Sequence, residues 1–313
     1  DEGEIFVGCA GGIDTTVEFH YNEEDVCEDF CYEEVFVKDA MGGHSGDDIN
    51  KGRANAVKLL GGFLFSCRDL DWQLITINGG NKRNAIAREA KALIAAEQDT
   101  LDIINERLEA YAEAVAEEYG AIETALNLGF TEVEVSGVKA IDEMTAWNLI
   151  AGIAAAPHGV LAMSQTMENF VETSTNLASV KMVEPGLIRI GSSQRSCIAA
   201  ARHSAARIME ACFEMAGGIV KHAGEYPGWA PAAESPVRDA CVASYKKLFG
   251  VEPKVKAIHA GLECGLFTEK FPGLDMISFG PTLRGVHAPG ERLDLASLDK
   301  FVALLVDLVS NYR

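Results

Sequence analysis

The sequence predicts an α/β domain split by a long inserted α+β domain. Three observations carry that prediction. Between residues 32 and 138 the hydrophobic periodicity runs β-α-β-β-α-β, the ferredoxin-like pattern. A similar succession of elements follows to residue 216, giving two ferredoxin-like halves. From Ser235 the texture changes to short apolar strands alternating with helices, as in a parallel sheet covered by helices.

Residues 4–20 alternate as strands do: Ile5-Phe6-Val7, a glycine-rich break from Gly8 to Gly12, then Thr15 to Phe19. Residues 32–39 read as a strand with Val35 and Val37 on one face. The loop Gly42-Gly43-His44-Ser45-Gly46 precedes a helix whose expected N-cap is Asp47 or Asp48. Its apolar stripe is Ile49, Ala54, Val57, Leu60 and Leu64. Strands at 71–78 and 84–94 flank Gly79-Gly80. Asp99–Tyr119 is an amphipathic helix, with Leu101, Ile104, Leu108, Tyr111 and Val115 at helical spacing, and Thr131–Val138 is a strand. The second succession has a helix at 142–155, strands at 159–165, 171–182 and 187–195, and a helix at 198–216, without residue-level repetition. Tyr226-Pro227-Gly228-Trp229-Ala230-Pro231 breaks the pattern and reads as a domain crossing. Beyond it come helix 236–249, strand 254–258, helix 261–269, strand 274–278 and helix 295–311.

At 313 residues the chain can bury a sizeable core and hold two domains, or one split by an insertion. A net charge of -20 offers no basic stripe to phosphates, which excludes nucleic acid and argues against anionic membrane surfaces. No apolar run approaches bilayer length, and the longest, Leu59 to Phe65, fits a buried helix. The eight cysteines are scattered rather than clustered, which predicts free thiols in a reducing cytosol and a cytoplasmic location. The chain opens on Asp1-Glu2-Gly3-Glu4 without an initiator Met or signal peptide, so a trimmed or excerpted N-terminus is expected.

Chemistry-bearing residues concentrate in the last third. Ala257–Gly265 and Gly280–Glu291 hold two histidines, an arginine and two carboxylates among glycines and prolines, and irregular segments of this kind carry sites. His287 follows a predicted strand and the Gly280-Pro281 turn, at the carboxyl end where open α/β sheets place their sites. Imidazole is the commonest metal ligand, yet no HExxH accompanies it, and a solvated loop histidine is the alternative. His44, at an expected helix start, can donate to an oxyanion with help from the helix dipole, or simply begin the helix. Asn84 follows the glycine turn and can hold a carboxylate or close that turn. Arg195, in Gly191-Ser192-Ser193-Gln194-Arg195-Ser196, has a fork suited to bidentate capture of a carboxylate; an exposed surface arginine is the alternative. Phosphate-loop and G-x-S-x-G signatures are absent, and His20, His158, His203 and His222 read as structural or solvated.

Several segments together resemble one family. They are Gly8-Cys9-Ala10-Gly11-Gly12-Ile13-Asp14, Gly42-Gly43-His44-Ser45-Gly46, Asn84-Ala85-Ile86 with Arg88-Glu89, Glu168 to Asn176, His259 to Gly265 and the stretch around His287. In order and over essentially the whole chain, they are similar to the aminoacyl-histidine dipeptidases, carnosinase-like Xaa-His dipeptidases within the di-zinc exopeptidases. The resemblance implies a catalytic α/β domain, here 1–13 and 227–313, interrupted by a lid domain of two ferredoxin-like halves, here 14–226. It implies hydrolysis of dipeptides with a C-terminal histidine by a metal-activated water with a glutamate general base. Two divalent ions are implied, zinc being the expected metal, with His287 as the ligand present. By the same resemblance His44 supports the tetrahedral intermediate, Asn84 and Arg195 grip the substrate carboxylate, Gly261 lies in the substrate loop, and Glu263 receives the α-amino group. His259 is implied as a supporting residue. The implied partners are a small dipeptide and a second copy of the chain, paired through the lid, which could bring His44 to the neighbour's site.

Two departures stand out. Ala87 occupies a position where relatives commonly have proline. The family's His-x-Asp segment, bridging aspartate, Glu-Glu pair and next aspartate have no counterpart, so the chain reads as the C-terminal two-thirds, expected to be inactive alone and to bind metal weakly. Rival readings are another amidohydrolase or carboxypeptidase of the clan, or a non-catalytic dimerising lid module.

Overall fold

The computed structural model describes residues 1–284 and 290–312. β1 (Glu4–Cys9) and β2 (Gly11–His20) form an extended run broken only at Ala10. From Ile13 to Phe19 every second residue of β2 is buried, as in a sheet with one face on a core. β3 (Glu23–Asp25) is a short exposed strand, β4 (Cys31–Lys38) buries Val35 and Val37 on one face as predicted, and β5 (Gly43–His44) is brief. α1 (Ala56–Ser66) starts later than expected. Its N-cap is Asn55, whose side chain accepts from the N–H groups of Val57 and Lys58. Asp48 caps nothing because its carboxylate is taken up by the His44 N–H, Lys51 and Arg53. The strand expected over 84–94 divides into β7 (Ala85–Ile86) and β8 (Ala90–Ala96), after β6 (Gln73–Gly80). α2 (Gln98–Tyr119) buries Leu101, Ile104, Leu108 and Val115, and β9 (Asn127–Glu132) lies ahead of the expected 131–138.

β10 (Lys139–Ile141) pairs with β3 and leads into α3 (Glu143–Ala155), capped by Asp142. Then come β11 (Gly159–Met163), β12 (Val171–Glu184), β13 (Leu187–Ser196), α4 (Ala199–Met215) and β14 (Ile219–Tyr226). The periodicity did not predict β14, because as an exposed edge strand it carries no alternating apolar signal. The rest is α5 (Pro236–Phe249), β15 (Lys254–Ile258), α6 (Glu263–Lys270), β16 (Leu283–Arg284), β17 (Arg292–Leu293) and α7 (Leu295–Asn311). The strand expected at 274–278 is a single bridge between Ser278 and Phe6.

The large sheet runs β14-β2-β13-β12-β6-β8-β4-β9, with β11 beside β12. One ferredoxin-like half is β4-α1-β6-β8-α2-β9, in spatial order β9-β4-β8-β6; the other is β2-α3-β12-β13-α4-β14, in spatial order β14-β2-β13-β12. They join where Ser179 and Val180 face Gly80 and Gly79. The halves are therefore nested rather than consecutive. The first strand of the second half is β2, which pairs with β13 from Leu187↔His20 to Ser196↔Gly11, and the segment at 159–163 is an extra strand beside β12. A main core of Val17, Phe63, Leu74, Ile104, Ile150, Ile190 and Phe213 spans both halves. A smaller one holds Ile5, Val7, Cys241, Tyr245, Leu304 and Leu308, where β1 runs parallel to β15 under α5 and α7.

The segment after β14 passes beside the β1–β2 junction. Cys9 and Trp229 exchange backbone hydrogen bonds of 2.8 and 2.9 Å. A Cβ on Gly11 would lie 2.4 Å from the Gly228 nitrogen, so the chains meet backbone to backbone where no side chain fits.

Candidate active site

Arg195 lies near the end of β13, opposite Gly12 of β2 and Ser174 of β12. It is 8% exposed, which removes the surface-arginine alternative. Among the described residues its guanidinium meets no carboxylate: one Nη donates to the Tyr226 hydroxyl at 3.2 Å, and Nε is buried without a partner. A cation held out of water without a counter-charge costs several kcal/mol, on the order of 3–5 when a pair is broken. An arriving carboxylate would offset that cost.

His44 pairs with Ala85 across the β5–β7 ladder. Its Nδ1 accepts from the N–H groups of Gly46 at 3.2 Å and Asp47 at 3.3 Å. The neutral ring therefore carries its proton on Nε2. Burial, then the Arg195 charge, hold its pKa below the ordinary value, against the pull of Asp47 and Asp48. An Asp47 carboxylate oxygen 3.8 Å from Nδ1 would favour the cation, but two N–H donors on the same nitrogen favour the neutral ring. The result is a neutral imidazole with Nε2–H as its donor.

The turn after His44 rests on the segment after β15. A Cβ on Gly46 would lie 2.3 Å from the His259 carbonyl oxygen. That segment is anchored by the Ala10 N–H, which is 3.1 Å from the carbonyls of both Ile258 and Ala260. His259 is 6% exposed with Nε2 2.7 Å from the Ser174 hydroxyl; burial first, then the charge of Arg195, push its pKa down to about 3. Its ring is therefore neutral. Gly261 follows, and a Cβ there would lie 3.1 Å from the Tyr226 ring. Glu263 is exposed in the first turn of α6.

Asn84 is exposed, and its position is set from behind. The buried Asn176 donates its amide to the carbonyls of Arg83 at 3.1 Å and Ala85 at 2.9 Å, bracketing Asn84. The Ser45 N–H donates to the Asn84 carbonyl at 2.9 Å, tying Asn84 to the His44 turn. His287 lies outside the described residues. Among the described residues no group of three or more His, Cys, Asp or Glu is placed to hold a metal.

The fold thus gathers His44, Asn84, Arg195 and the 259–261 loop from segments far apart in sequence. Sequence reasoning missed Tyr226, Ser174 and Asn176. The signal available for the last two was a run of polar residues, Thr173-Ser174-Thr175-Asn176, all buried inside a strand. Tyr226 gave none beyond its place before the Pro-Gly break. His158, His203 and His222 keep structural partners: the Leu177 N–H, Glu225 and Thr15.

Residues 88–311 match the peptidase family M20/M25/M40, and residues 37–121 match the peptidase dimerisation domain. The chain is 37% identical over 310 residues to the cytosol non-specific dipeptidase of Escherichia coli (strain K12), covering 99% of this chain and 64% of that protein. The crystal structure of aminoacylhistidine dipeptidase from Vibrio alginolyticus matches with a TM-score of 0.93 at 36% identity, over 99% of this chain and 63% of that one. The chain thus spans most of the length of these relatives, though less than two thirds of either. The lid-interrupted α/β fold and the resemblance read from the motifs are both borne out.

Proposed function

The chain belongs to the M20/M25/M40 peptidase family, and from that premise we propose that its reaction is the hydrolysis of dipeptides, those ending in histidine among them. The observation that carries the proposal is Arg195, a buried guanidinium without a carboxylate partner among the described residues, beside a neutral histidine. The C-terminal carboxylate of a dipeptide is the anion such a receptor fits, and Asn84 adds an amide donor. The Nε2–H of His44 donates to the oxygen that gains charge as the peptide carbon becomes tetrahedral, a contact of a kind worth about 10²–10³ in rate. Gly261 leaves room for substrate backbone, and Glu263 meets the α-amino group. Members of the family generally bind two divalent ions, usually zinc. The described residues do not by themselves supply a donor set, so no step is assigned through a metal. His44 serves the site of its own chain in this reading, since Gly46 rests against His259 of the same chain. The match to a dimerisation domain supports a homodimer formed through the lid, and the division at 1–13, 14–226 and 227–313 belongs to the same proposal. So does a cytoplasmic location, supported by the similarity to a cytosol dipeptidase and by eight free cysteines.

The test is a comparison of β-alanyl-histidine, other dipeptides and N-acetyl-histidine as substrates of the full-length enzyme. Cleavage of the free dipeptides with little action on the acylated amino acid is expected. A preference for the acylated substrate would select the amidohydrolase reading instead. A protein that purifies without metal and cannot be reconstituted would select the non-catalytic module.

A further inference from the structure

We propose that Tyr226 is a positioning residue for the carboxylate end of the substrate, aiming Arg195 through its hydroxyl and steadying the Gly261 loop through its ring. This rests on the reading of Arg195 as the carboxylate receptor. The Tyr226 hydroxyl, at 3.2 Å, is the one hydrogen-bond partner of the guanidinium among the described residues. Its chemistry suits the task. A carboxylate in that place would neutralise the arginine and compete with the substrate, whereas a phenol orients the fork and leaves its charge intact. A long side chain held in one rotamer beforehand loses less freedom when the ligand binds.

The ring itself is fixed. A Cβ on Gly12 would lie 2.5 Å from it, and one on Gly261 would lie 3.1 Å from its other edge, so it packs between β2 and the 259–261 loop. The register shift between Ala223 and Tyr226 in the β14–β2 ladder sets the residue apart from the regular strand and opposite Gly12. Pro227 then continues the contact, because a Cβ on Gly265 in α6 would lie 2.4 Å from its carbonyl oxygen. One side chain thus touches both the receptor arginine and the loop expected to carry the substrate backbone.

The experiment compares wild type and Tyr226→Phe in the full-length enzyme, using a dipeptide and its C-terminal amide, which lacks the carboxylate. Losing one hydrogen bond to a charged group predicts that KM for the dipeptide rises about tenfold, with kcat within about twofold. The amide, which makes no call on Arg195, keeps its KM. Equal losses on both substrates, an unchanged dipeptide KM, or a variant that fails to fold would each overturn the proposal in favour of a packing role. If wild type cleaves neither compound, the dipeptidase reading fails by itself. Tyr226 is then judged by calorimetric binding of the same two compounds: weakening confined to the free acid supports it, and equal weakening or none overturns it.

Discussion

Replacing Gly46 with alanine should uncouple His44 from the site while leaving carboxylate capture intact. Gly46 does not use a left-handed backbone, so alanine brings no conformational strain, only a methyl group. That carbon would stand 2.3 Å from the His259 carbonyl oxygen and 3.1 Å from the His44 ring. A carbon and a carbonyl oxygen approach to about 3.3 Å, so one side must yield by about 1 Å. The 259–261 loop is pinned by Ala10 and by the His259–Ser174 contact. The His44 turn hangs on Asp48, and on Arg53 donating to the Gly42 carbonyl, and it is the side that moves. Displacing a catalytic group by about 1 Å can cost about 10²-fold, or roughly 2.7 kcal/mol of transition-state stabilisation. Steady-state kinetics of the full-length Gly46→Ala enzyme on β-alanyl-histidine should therefore show kcat reduced about 100-fold, with KM changed only a few-fold. His44→Ala sets the floor, and the double variant should be no slower than His44→Ala alone. Wild-type kcat in Gly46→Ala, or losses that add in the double variant, would show that the Gly46–His259 contact does not aim His44.

Three further outcomes follow from the same geometry. Protonating His44 at Nδ1 would take away the acceptor of the Gly46 and Asp47 N–H groups and release the ring from its aim. Because burial and Arg195 hold its pKa below its usual 6.5, kcat should persist below that pH and fail only in more acid solution. Arg195→Met removes the second of those causes and should shift this acid limb to higher pH; an unmoved limb would show that the two groups are uncoupled. His158 is half-buried, and desolvation followed by the Lys58 charge holds its pKa down to about 4, against 6.5 when unfolded, so the unfolded chain binds more protons between those values. Stability should be fully present above pH 6.5 and lost progressively toward pH 4, on the order of 3 kcal/mol from this residue. Thermal melts of His158→Gln should show a flatter acid slope, and an identical slope would exclude the assignment. Lys58 donates to the carbonyls of Ile153, Ala154 and Ala156 at 2.9, 2.6 and 2.7 Å, closing the C-terminus of α3. Lys58→Met should cost about 2–4 kcal/mol in denaturant unfolding, and a change under about 0.5 kcal/mol would mean that water replaces the ammonium.

Local pattern was enough for most elements. Periodicity in Leu101, Ile104, Leu108 and Val115 placed α2 within a residue, and the helix expected at 236–249 is α5 as found. Short motifs were enough for the family and for the candidates at 44, 84, 195, 261 and 263. The α1 start was misread because Asp48 looks like a cap and is instead held by His44, Lys51 and Arg53, a competition that spacing does not reveal.

Which segments become strands and helices, and which residue types the site has to work with, can be read along the chain. Those follow from interactions within a few residues of one another. Only the tertiary structure decided that β2 opens the second ferredoxin-like half across more than a hundred intervening residues, because strand pairing is a contact between distant backbones. It alone showed Arg195 to be buried and without a carboxylate partner among the described residues, His44 to be neutral, and Tyr226 to stand between Arg195 and Gly261. Burial, protonation and aim depend on what the rest of the chain brings alongside, and that is fixed only when the two halves of the sheet and the 259–261 loop close on one another.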